Sequence, residues 1–140
     1  MDRKTTVISG LFILLFQFAL YETTWSFDKA VKDDPVIVRK EQNGQEITVK
    51  AKTLIQIELA ELGSAGFTWH VHEINSQYLE FIGDKTRQLS EKEKIGAPVV
   101  HVWRFKAEKA GKTEIKMDYY RQWEGVKKSQ DHFLIRIKII

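Results

Sequence analysis

From His132 to Ile140 the chain sets Phe133, Ile135, Ile137 and Ile139 against Leu134, Arg136 and Lys138, a strict two-residue alternation. Only an extended strand collects such a set on one face, because successive side chains in a sheet point to opposite sides. The same period returns upstream. Phe67, Trp69 and Val71 alternate with Thr68, His70 and His72, Trp103 and Phe105 share a face within Val99 to Lys106, and Ile115, Met117 and Tyr119 share one within Thr113 to Tyr120. Shorter candidates run from Pro35 to Val38, through Ile47 and Val49, from Thr53 to Leu59 and from Tyr78 to Ile82. A sustained helical period is absent, so the class is all-β.

Turn residues separate these runs. Glu41-Gln42-Asn43-Gly44 and Lys109-Ala110-Gly111-Lys112 supply tight turns, Gly96-Ala97-Pro98 marks another, and the polar stretch from Gly83 to Lys94 reads as a long exposed connection. Seven to eight short strands at this spacing predict an immunoglobulin-like antiparallel β-sandwich, although a barrel satisfies the same pattern. Trp69 suits the buried tryptophan of such a sandwich.

At 140 residues the chain suffices for one core and is short for two. Hydrophobic residues at 43% and charged residues at 29% are globular values and argue against a disordered polar chain. The net charge of +3 is dispersed without a basic run, so nucleic acid is not an expected partner. With no cysteine, thiolate catalysis and cysteine-type zinc sites are excluded, and the core must hold the domain without disulfides.

Arg3 and Lys4 precede an apolar run from Val7 to Leu20 that only Ser9, Gly10 and Gln17 interrupt. That is the pattern of a secretory signal, short for a membrane span. Small residues at Thr24 and Ser26 place cleavage before Phe27, giving a signal over residues 1–26 and a domain over 27–140. The expected location is periplasmic or secreted, with no membrane association after cleavage; an uncleaved anchor is the alternative.

The alternation breaks at Leu62-Gly63-Ser64-Ala65-Gly66, where small residues permit close backbone approach to a partner. In a sandwich, alternate connections gather at one end. The loops after Leu59, Ile82 and Tyr120 are therefore expected side by side, bringing together residues 62–66, Ile95 to Val99, and Arg121-Gln122-Trp123. Arg and Trp are frequent hot-spot residues at interfaces, and Trp123 lies in a polar setting that favours an outward role. Enzyme readings find less support. Ser64 lacks the Gly-x-Ser-x-Gly spacing and the following helix of a nucleophile elbow. His70, His72, His101 and His132 could be imagined around a metal, but solvent-facing histidines are the simpler reading. No carboxylate pair stands in an apolar setting that would suit acid-base work. No cofactor is expected.

In this order the three stretches resemble the chagasin family of cysteine peptidase inhibitors. The family pattern Asn-Pro-Thr-Thr-Gly, followed by an aromatic residue and then Trp, is similar to Leu62-Gly63-Ser64-Ala65-Gly66-Phe67-Thr68-Trp69. Gly-x-Gly-Gly resembles Gly96-Ala97-Pro98-Val99, and Arg-Pro-Trp resembles Arg121-Gln122-Trp123. The likeness spans residues 35–140 and implies a monomeric, reversible, competitive inhibitor of papain-like, cathepsin L-like peptidases. By that resemblance Ser64, Ala65 and Gly66 approach the catalytic centre, Gly96 and Ala97 make backbone contacts, and Arg121 and Trp123 make side-chain contacts. The departures at Leu62, Gly63, Ala65, Pro98, Val99 and Gln122 bear on affinity and target range, and Gly63 in place of Pro implies a looser loop. An exported adhesion or scaffold module that has lost the inhibitory loop is the competing expectation.

Overall fold

The computed structural model describes residues 34–89 and 96–140. The expected signal over residues 1–26, with its cleavage site, and Ile95 of the second loop lie outside them. Eight strands are present among the described residues: β1 (Val36–Arg39), β2 (Glu46–Val49), β3 (Leu54–Glu61), β4 (Phe67–Val71), β5 (Leu79–Gln88), β6 (Val99–Ala107), β7 (Gly111–Arg121) and β8 (Asp131–Ile139). They form two four-stranded sheets in the orders β1-β3-β6-β5 and β2-β8-β7-β4.

The alternating apolar sets meet between the sheets. Ile55, Ile57 and Leu59 of β3 and Trp103, Phe105 and Ala107 of β6 face Ile115 and Met117 of β7 and Phe133, Ile135, Ile137 and Ile139 of β8 in one buried core. Among the described residues sixteen buried apolar side chains explain how a chain without cysteine holds together, since burying each large one contributes about 1.5–3 kcal/mol before entropy is counted. Trp69 is buried as expected, whereas Phe67 and Val71 on its face are half-buried because β4 is an edge strand.

The structure departs from the expected pattern in two places. An all-antiparallel sandwich was the expectation, yet β1 pairs with β3 and β2 with β8 in parallel register. The turn at Asn43-Gly44 is real, with Gly44 at φ 80°, but the strands flanking it enter opposite sheets instead of pairing with each other. Asn43 Oδ1 accepts from the Leu134 amide at 2.8 Å, and the Gly44 amide donates to Leu134 O at 2.6 Å, fastening the turn to β8. The second difference lies in residues 83–88, which continue β5 along β6 after a bulge between Phe81 and Gly83 instead of forming a loop. Lys85, Thr86, Arg87 and Gln88 are all exposed, so no apolar period marks the strand. Backbone pairing with β6 maintains it, joined by side-chain bonds from Asp84 to His101 and from Arg87 to Glu58, as suits a charged sheet edge.

Candidate functional site

The segment 62–66 carries the chain from β3 in one sheet to β4 in the other. Gly63, Ser64 and Ala65 form a single 3-10 turn closed by Gly66 at φ 81° and ψ 2°, a conformation that favours glycine. The Ala65 amide donates to Leu62 O at 3.0 Å, Gly66 to Gly63 O at 2.9 Å, and Phe67 to Leu62 O at 3.3 Å. The looser loop implied by Gly63 is thus a hydrogen-bonded turn. Leu62 lacks the side-chain amide of the family asparagine, but its own amide donates to the Tyr119 hydroxyl at 2.8 Å. Tyr119 in turn packs on Phe67 and Trp69, with ring centroids at 5.5 and 4.9 Å. The turn therefore rests on an aromatic floor, with Gly63 and Ser64 exposed at its crest.

Both flanking stretches touch this turn. On one side the Ser64 hydroxyl donates to Gly96 O at 3.2 Å, and Gly96 holds φ 91°. Gly96 and Pro98 are exposed and Ala97 is half-buried just ahead of β6. On the other side Arg121 Nε donates to Ala65 O at 2.8 Å, and its guanidinium lies 4.3 Å from the Phe67 ring centroid and 5.9 Å from that of Trp123. Trp123 is 73% exposed, and the edge of its ring occupies the space beside Gly66. Gln122 is exposed. The expected residues Leu62, Gly63, Ser64, Ala65, Gly66, Gly96, Ala97, Pro98, Arg121, Gln122 and Trp123 therefore lie at one end of the sandwich as a connected ridge. Of the two side chains expected to reach outward, Trp123 is exposed and Arg121 is engaged with its own chain.

Several polar groups escaped the sequence reading. The Glu61 carboxylate is 5% exposed; Oε2 accepts from the Trp69 amide at 3.1 Å, and Oε1 lies 2.9 Å from His101 Nδ1. The other ring nitrogen of His101 lies 2.5 Å from Asp84 Oδ2. Burial alone would lower the His101 pKa, but the bonds to Glu61 and Asp84 outweigh it and raise the value above the ordinary histidine range. On the outer face of the other sheet Asp118 lies between His72 and His132, at 2.5 and 2.6 Å. His70 stacks on Tyr120 at 3.9 Å. The histidines read as solvent-facing are therefore engaged by carboxylates or aromatic rings. The carboxylate partners lie 14 to 46 residues away, beyond the reach of a local pattern. Among the described residues no cluster of three or more histidine, aspartate or glutamate side chains is disposed to hold a metal ion. The Ser64 hydroxyl is bonded to a backbone carbonyl, with no base in that bond.

Residues 48–137, which include all three parts of the ridge, match the model of the chagasin family of peptidase inhibitors, I42. The chain belongs to the chagasin family. The family consists of inhibitors, not enzymes. Among solved structures, this chagasin-family chain is similar to the cysteine protease inhibitor EhICP2 from Entamoeba histolytica, with 23% identity and a TM-score of 0.68 over 75% of this chain and 95% of that one. Amebosin matches with 15% identity and a TM-score of 0.62 over 76% and 98% of the two chains. PbICP-C, solved in complex with falcipain-2, matches with 15% identity and a TM-score of 0.56 over 75% and 99%. These likenesses establish the shared sandwich fold. No curated protein sequence is significantly similar to this chain.

Proposed function

We propose that this chain is a reversible, competitive inhibitor of papain-like cysteine peptidases that inserts residues 62–66 into the active-site cleft, flanked by residues 95–99 and 121–123. The observation that carries the reading is the bonding of the central turn. The carbonyls of Leu62, Gly63 and Ala65 already accept hydrogen bonds from Ala65 and Phe67, from Gly66, and from Arg121. A peptide poised for cleavage must lie extended with its carbonyl open to attack, and this turn cannot extend without breaking those bonds. It fills a cleft as a wedge, and because the turn is formed beforehand, little conformational entropy is lost on docking. The complex of PbICP-C with falcipain-2 and the protease class inhibited by EhICP2 support a cysteine peptidase as the partner.

Export is part of the same proposal. The basic start and the apolar run from Val7 to Leu20 support it. Purified residues 27–140, acting as a monomer, should inhibit papain or a cathepsin L-like enzyme with competitive kinetics. Absence of inhibition against several papain-like enzymes at micromolar protein would overturn the reading.

A further inference from the structure

Glu61 is the residue immediately before the central loop, and its carboxylate binds the backbone of Trp69, three residues after Gly66. A second bond crosses the same gap, from Trp69 Nε1 to Ala60 O at 3.0 Å. The two strands that launch and receive the loop belong to opposite sheets, so the Glu61 carboxylate spans the mouth of the sandwich beneath the loop. Its remaining oxygen meets His101 on β6. Two positions ahead of His101, Val99 begins that strand directly after Gly96-Ala97-Pro98 and pairs with Glu61 itself. One carboxylate thus touches the strands flanking the central loop and is bonded to the strand that the second loop enters.

We propose that Glu61 and His101 form a protonation-dependent clamp that positions the 62–66 turn against the 96–98 stretch, so that inhibition is tighter at acidic than at alkaline pH. This rests on the reading of the ridge as a peptidase-binding edge. The chemistry follows from the ring's surroundings. His101 has a carboxylate at each nitrogen, Glu61 from β3 and Asp84 from β5, and only the imidazolium donates at both. The Trp103 ring stacks on the imidazole at 3.9 Å between centroids, an arrangement that favours a cation. In the open cavity that His101 and Asp84 help to line, β4 and the residues after it contribute His70, His72 and Glu73. His72 is held by Asp118 of β7, and Arg87 of β5 is bonded to Glu58, so neither is the partner of His101.

Loss of the proton leaves a lone pair facing one of the two carboxylates. Because the folded-state pKa is raised, the clamp is complete below about pH 6.5, the ordinary histidine value, and is lost as pH rises through the raised value. The base of the loop then gains freedom that docking must remove.

The test measures Ki against papain from pH 5 to 9 for the natural chain and for His101→Gln, which keeps a hydrogen-bonding side chain without a titrating proton. Taking the ratio of the two at each pH cancels the titration of papain itself. The natural chain should lose about tenfold relative to His101→Gln across this range, the order expected for losing one charge-assisted hydrogen bond. Asp84→Asn should move the transition toward lower pH, and it serves if His101→Gln does not fold. In parallel, amide-exchange protection of Trp69 and Leu62 in the free protein should fall through the same pH interval. A pH-independent Ki ratio together with unchanged protection overturns the clamp. Absence of inhibition at every pH, with protection still following pH, would sink the peptidase reading and leave the clamp standing.

Discussion

The ring edge of Trp123 occupies the position from which a side chain at Gly66 would grow: a Cβ built there would lie 2.0 Å from Trp123 Cη2. Gly66 is therefore required twice, by its φ of 81° and by the ring beside it. Gly66→Ala should add about 1–2 kcal/mol of backbone strain and push the indole off the turn. Trp123→Ala, at 73% exposure, should leave the melting temperature almost unchanged yet weaken inhibition by about 2 kcal/mol, roughly thirtyfold in Ki. Because the two residues share one contact, the double variant should lose less than the sum of the singles. Strict additivity in Ki would show that the indole is not seated by Gly66.

Tyr119 acts through its hydroxyl as well as its ring. Tyr119→Phe keeps the packing on Phe67 and Trp69 but leaves the Leu62 amide without its acceptor. A half-buried donor left unpaired costs about 1–3 kcal/mol, so the melting temperature should drop by several degrees in a calorimetric scan. Leu62 should also lose amide-exchange protection. An unchanged melting temperature would show that solvent replaces the hydroxyl freely.

Acid should unfold the domain partly through Asp118. Burial by itself would raise this carboxyl's pKa, but the bonds and charges of His132 and His72 outweigh it and hold the group below the ordinary carboxylate range. A depressed folded-state value means stability that is present above the unfolded value of about 3.9 and is lost as pH falls through the folded one. Glu58, lowered by Gln56, Arg87 and Arg39 against the effect of burial, acts in the same direction. Urea unfolding of Asp118→Asn at pH 6 should show a clear loss of stability relative to the natural chain, and the gap should narrow toward pH 2. A gap independent of pH would assign the residue a packing role only.

The inner faces of the sandwich were legible because burial on one side of a strand writes itself as alternation, most cleanly in Phe133 to Ile139. Lys85 to Gln88 left no such mark, since an edge strand exposed on both faces has nothing to alternate. Nor does alternation name a neighbour. The parallel partners of β1 and β2 were therefore invisible, and the Asn43-Gly44 turn resembled a hairpin that does not form. At the site, the three stretches could be read from their small and aromatic residues, whereas the groups that join them could not. Glu61 meets His101 across 40 positions and Leu62 meets Tyr119 across 57, and neither acid, histidine nor tyrosine stands in a motif. Arg121 was legible as a residue, but its bond to Ala65 was not, because an arginine in a polar loop looks the same whether it faces a partner or braces its own chain.

That ambiguity has a direct test. Arg121 Nε donates to Ala65 O, and the guanidinium plane covers Phe67 at 4.3 Å while Nη1 lies 3.7 Å from a Glu124 carboxylate oxygen. Lysine keeps the charge but has neither the planar fork nor the Nε donor, so it cannot reproduce the bond and the stacking together. If Arg121 is a brace, Arg121→Lys and Arg121→Ala should both raise Ki by about tenfold, since each frees the Ala65 carbonyl and loosens the turn. The ratio between the lysine variant and the natural chain should then hold steady from low to high salt, because geometry and not long-range charge has been removed. Should Arg121→Lys inhibit as well as the natural chain at low salt and fail only at high salt, the arginine would be acting as a charge toward the partner, and the bond to Ala65 would be incidental to inhibition.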